Sequence, residues 1–150
     1  MPLWYGALAR CSRRVPSTTP SRWALAVFAV AAGALGIATA WALATSLFGG
    51  MQGWLGFVAA ADAALLLRLA GVAPGRARML AAVVATAATV ALAGWFSVAA
   101  DLAPLFGLRP LDAVLRLGPD TAVLMVRQAA SVADWAWIGL SLPFAGWLGR

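Results

Sequence analysis

No histidine, lysine or glutamate occurs anywhere in this chain, and cysteine occurs once, at Cys11. Without histidine, the chain cannot by itself build a bis-histidine haem site, a histidine-bearing zinc site or a Ser-His-Asp triad. A single cysteine closes no internal disulfide. With Arg10 directly before it and no apolar stretch upstream, Cys11 does not read as a lipoprotein acylation site either. Charge is scarce: 11% of residues are charged, against about a quarter in a soluble domain. Phosphate-binding loops, dinucleotide fingerprints, GxSxG elbows and CxxC pairs are missing. So are the acidic first helix of small multidrug transporters and the arginine-bearing glycine motif of fluoride channels. These absences leave few side chains for catalysis, and no enzyme activity or cofactor is expected.

What the chain has in abundance is apolar sequence. Hydrophobic residues make up 63% of it, and the mean hydropathy is +0.88. A soluble fold of 150 residues with this makeup would expose large apolar patches and aggregate, whereas long uncharged runs suit membrane spans. The expected architecture is an all-α integral membrane bundle of four transmembrane helices in a single domain. A basic arm occupies 1–22, and its Pro16–Pro20 stretch breaks any helix there. Spans are expected at about 23–47, 54–72, 79–100 and 132–149. The glycine-rich turn Phe48–Gly53 and the basic turn Ala73–Arg78 are short enough to make antiparallel hairpins. Asp101 and Pro104 are expected to close the third span. Arg13-Arg14 and Ala38-Thr39-Ala40 resemble export and signal-cleavage patterns, but the first apolar run is too long for a signal segment and suits a span.

The least hydrophobic part, 101–131, contains two similar units. Arg109–Arg116 and Gly118–Arg127 each carry a proline where a helix would begin, an aspartate in its first turn and an arginine near its end. That order suits the helix dipole, and two short amphipathic helices lying at the membrane surface are expected. Arginine counting orients the chain. Arg10, Arg13, Arg14, Arg22, Arg68, Arg76, Arg78 and Arg150 fall on one side, and only Arg109, Arg116 and Arg127 on the other. By the positive-inside rule both termini are cytoplasmic and 101–131 is extracytoplasmic. Tryptophans agree, with Trp23 and Trp147 at the inner interface, Trp54, Trp135 and Trp137 at the outer, and Trp41 and Trp95 about a turn and a half deeper. The basic excess therefore reads as topology and not as a nucleic-acid surface.

One residue stands apart. Asp62 lies in the middle of an apolar run, where a carboxylate costs about 2.5–3.5 kcal/mol on insertion scales. Depth counting brings Thr89 of the third span and Ser141 of the fourth to a similar level. Pro143 frees the carbonyl of Gly139 nearby. Asp62, Thr89 and Ser141 are thus the candidate intramembrane polar cluster. It serves either as a protonatable transport site or as a neutral carboxyl hydrogen-bonded across helices. Arg68, six residues on, is expected to snorkel to the cytoplasmic headgroups rather than pair with Asp62. Small residues recur every fourth position at Ala32, Gly36, Ala40 and Ala44, and again at Ala81, Ala85, Thr89, Ala93 and Ser97. These stripes suit close helix contact, within the bundle or between subunits. The outer aspartates Asp101, Asp112, Asp120 and Asp134 share no ligand spacing, so no metal site is expected.

The expectation from sequence is a non-enzymatic accessory or structural protein of the bacterial inner membrane, partnered by the lipid bilayer and by a second copy or a larger membrane protein. The competing expectation is a small oligomeric transporter or channel that uses Asp62.

Overall fold

The structure, a computed structural model, describes residues 20–150. Most of the basic arm expected at 1–22 lies outside the described residues. Within them the chain is all helical, without strands: α1 (Pro20–Phe48), α2 (Leu55–Leu69), α3 (Arg76–Leu105), α4 (Pro110–Arg116), α5 (Pro119–Ala129) and α6 (Val132–Leu148). Two helices are long and apolar enough to cross a membrane, over 22–48 with mean hydropathy 2.0 and over 76–105 with mean hydropathy 1.9.

The turns follow from glycine. Gly49 and Gly50, with φ of 71° and 74°, occupy the left-handed region that side chains disfavour, and they fold α1 back toward α2. Gly71 ends α2 in the same way, with φ of 73°. The Gly71 N–H donates to the Arg68 carbonyl at 3.0 Å and the Val72 N–H to the Leu67 carbonyl at 3.2 Å, which is a Schellman cap. A helix to residue 72 was expected from hydropathy; the cap at Gly71 stops it at Leu69. The opposite happens in α3. Pro104 does not close the helix, which runs on to Leu105 and ends in a second Schellman cap. There the Leu108 N–H reaches the Ala103 carbonyl at 2.9 Å. Proline removes one helical hydrogen bond, and a last turn whose carbonyls are capped tolerates the loss.

α3 is the hub and packs against each of the other five helices. α1 touches α2 and α3 but not α6, so α1 and α6 flank the α2–α3 pair on opposite sides. Residues shared between clusters set the directions. Ala26 of α1, Leu67 of α2 and Ala82 of α3 meet at one end. Trp41 and Ala93, with Leu55 beside them, meet toward the other. α1 and α3 therefore run one way and α2 the other. Beyond them the Thr45 hydroxyl donates to Ser97 Oγ at 3.2 Å. The two short helices expected in 101–131 are present as α4 and α5. Ala113 of α4 packs on Ala99 and Ala103, and the Trp95 indole N–H donates to the Val114 carbonyl at 3.2 Å.

Small residues fill the contacts: most of the buried apolar positions are alanine. Leu25, Phe28, Leu43, Leu65, Val84 and Leu140 are among the large side chains that stay exposed.

Candidate functional site

α6 is fastened at both ends, at its start to the turn ahead of α2 and at its close to α2 and α3. At its start, Ser131 and Asp134 form a capping box. Ser131 Oγ accepts the Asp134 N–H at 3.2 Å, and Asp134 Oδ2 accepts the Ser131 N–H at 3.0 Å and its hydroxyl at 2.6 Å. The second oxygen of the same carboxylate accepts the Gly53 N–H at 2.9 Å, tying in the turn ahead of α2. This approach needs glycine, since a Cβ at residue 53 would lie 2.7 Å from Asp134 Cα.

At the other end two arginines hold the last carbonyls of α6. Arg78 is buried, 8% exposed. Its Nε–H donates to the Gly149 carbonyl at 2.8 Å, and its other nitrogens donate to the carbonyls of Val72 and Arg150. Arg68 donates to the Leu148 carbonyl at 2.7 Å. Cations at a helix C-terminus satisfy orphan carbonyls and suit the dipole. Arg68, expected at the cytoplasmic headgroups and apart from Asp62, is exposed, and its guanidinium also caps a neighbouring helix. The burial of Arg78 had a sequence signal that counting charges missed. Stepping back seven residues along the small stripe from Ala85 lands on Arg78, on the same buried face.

Because α2 and α6 start together at Gly53 and Asp134 and end together at Arg68 and Leu148, they run parallel, and their register follows. A Cβ at Gly56 would lie 3.0 Å from Ser141 Oγ, so Ser141 sits level with Gly56. Asp62 lies six residues further along α2, about 9 Å at 1.5 Å per residue. Ser141 is fully buried and donates to the Ile138 carbonyl at 2.7 Å. Thr89 is buried and donates to the Ala85 carbonyl at 2.8 Å, and Thr86 does the same to Ala82 at 2.8 Å. Each of these hydroxyls is satisfied by its own helix. No hydrogen bond joins Asp62, Thr89 and Ser141 to one another.

Asp62 instead turns to the seam between α1 and α2. It is half-buried there, and a Cβ at Gly33 would lie 2.7 Å from its Oδ2 and in contact with Leu66. Gly33 is the notch that admits the carboxyl. Among the described residues Asp62 has no hydrogen-bond partner and no countercharge. Beside the seam, Ala32, Gly36 and Ala40 are exposed, and a Cβ at Gly36 would meet nothing within 4 Å. The first small-residue stripe thus faces outward, while Ala34, Ala38, Trp41 and Thr45 make the inner face of α1.

Two adjoining hollows open near α5. A groove of about 540 Å³ runs between α3, α5 and α6, apolar except for Arg127. Across it, where Val126 and Met51 close over Gly94, lies a pocket of about 330 Å³ bearing Thr45, Ser46, Ser97 and Asp101. The indole N–H of Trp41 is buried without a partner. Among the described residues no three metal-ligating side chains gather. Comparison with protein-family models, with curated proteins and with solved structures finds no match.

Proposed function

We propose that this chain is a four-span protein of the bacterial inner membrane with both termini cytoplasmic. In this reading it acts as a non-enzymatic accessory or structural subunit that assembles with a second copy or a larger membrane protein. The observation that carries it is the polarity of the packing. Small and hydroxyl side chains lie between the helices, while leucine, valine and phenylalanine face outward. Lipid tails compete for large apolar side chains as well as any protein interior does, so helices in a bilayer associate through small residues. A water-soluble monomer does not leave so much apolar surface uncovered. α2 and α6, at 15 and 17 residues, span about 22 and 26 Å, and their flanking turns make up the remaining depth.

The α1–α2 flank favours a partner. Among the described residues α1 is an edge helix, its small stripe is open, and Asp62 beside it is unsatisfied. A carboxyl at mid-membrane depth is stabilised by a donor from elsewhere. The test is gentle detergent extraction with crosslinking of the intact chain. Wild type is expected to carry a stoichiometric second copy or partner, and both Gly36→Leu and Asp62→Leu to lose it. A wild-type chain that purifies as a monomer sinks the assembly reading.

The unpartnered carboxyl also supports a second reading, a small transporter or channel in which Asp62 takes up and releases a proton. Under it, Asp62→Asn abolishes flux in reconstituted vesicles while assembly persists. A folded Asp62→Leu protein with normal flux removes that reading.

A further inference from the structure

We propose that the groove between α3, α5 and α6 binds an anionic phospholipid, with one acyl chain lying along the groove and the headgroup phosphate meeting Arg127. The inference rests on the membrane-spanning reading given above and adds a ligand to it.

Four features of the groove converge on this ligand. Its walls are apolar, with Val90 and Ala91 from α3, Val123 from α5 and Ile138 and Leu142 from α6. At about 540 Å³ it has the size of a small-molecule site, suited to a flexible chain. Its one charged lining residue is Arg127, in the last turn of α5, which is exposed and makes no ion pair or hydrogen bond among the described residues. A guanidinium is the side chain best matched to phosphate oxygens. Trp135, placed above at the outer interface where indoles favour headgroups, also lines the groove.

Charge selects the headgroup. Choline would bring a second cation beside Arg127, whereas the glycerol headgroup of phosphatidylglycerol leaves the phosphate charge uncompensated for the arginine to meet. A groove of similar size, about 520 Å³ along α1 and α3, has no charged residue in its lining and so nothing with which to choose among headgroups.

The experiment titrates the purified full chain in detergent with phosphatidylglycerol or phosphatidylcholine and counts retained lipid by native mass spectrometry. One phosphatidylglycerol per chain is expected, held in preference to phosphatidylcholine. Arg127→Gln, at an exposed residue with no hydrogen bond or ion pair among the described residues, should weaken phosphatidylglycerol by roughly tenfold, the worth of one charge-assisted hydrogen bond, and erase the preference. Arg127→Lys should keep most of it. Ala91→Phe, filling the groove from an exposed position, should remove the retained lipid while leaving the melting temperature in place. Equal retention of the two lipids by wild type, or wild-type binding by Arg127→Gln, overturns the proposal. Release of the wild-type chain from membranes by alkaline carbonate would overturn the membrane reading itself, whatever the lipid titration gives.

Discussion

Single side chains hold the ends of this structure together. Arg78 reaches three carbonyls while itself buried, so its removal strands several acceptors at once. Arg78→Leu should cost about 1–3 kcal/mol or more, the penalty for unsatisfied buried acceptors, read as a lowered unfolding midpoint in mild detergent. Arg68→Ala, at an exposed site with one such bond, should cost about 0.5–1.5 kcal/mol in the same assay. At the opposite end, Gly53→Ala drives a methyl into the backbone of Asp134 and should destabilise by about 1–3 kcal/mol through overpacking. Asp134→Ala should match it, losing the carboxylate half of the capping box and the bond to Gly53, each such hydrogen bond being worth about 0.5–1.5 kcal/mol. The charges of these residues were plain in the sequence, but their partners were not. Arg68 and Leu148 are 80 positions apart, and a spacing of that kind carries no periodic signal.

At the scale of elements, α3 organises the rest, and α4 depends on it through very little. Ala113 packs on Ala99 and Ala103, and one indole N–H crosses from Trp95 to Val114. A helix of seven residues is too short to persist without such docking. Trp95→Phe should therefore raise tryptic cleavage at Arg116 severalfold in intact protein, with the remaining helices unaffected; unchanged cleavage would mean that the alanine contact alone suffices. The starts of α4 and α5 were legible because proline at the first helical position and a following aspartate are local signals. The ends of α2 and α3 were read less well. Hydropathy runs smoothly through Ala70 to Val72, and only the left-handed Gly71 marks the stop. Pro104 looked like a terminator, yet the cap at Gly107 lies beyond it.

For the whole molecule, the proposed topology places 101–131 outside and the Arg68, Arg76 and Arg78 cluster inside. A reporter active only in the cytoplasm should work when fused after Arg150 and fail when inserted at Gly118; the reverse pattern would invert the assignment. α2 and α6 run parallel, pinned at one end by Asp134 and at the other by Arg68 and Arg78, the relative direction that the second and fourth spans of the proposed topology would have.

The sequence by itself determined the helical class, the two long apolar helices and the two short helices between α3 and α6. Composition, apolar run length and proline placement act locally along the chain, so they can be read without a fold. Tertiary structure decided what faces what. Depth counting grouped Asp62 with Thr89 and Ser141, but helix phase and the α2–α6 register turn Asp62 to the Gly33 notch and set Ser141 against Gly56. The threonine and serine hydroxyls close on their own helices, which leaves Asp62, alone of these three, without a partner among the described residues. Facing directions arise from how helices roll and slide against one another, and in an alanine-rich chain several faces are small enough to permit it. Contacts made across the fold, at Gly33, Gly53 and Arg78, selected one arrangement from among them.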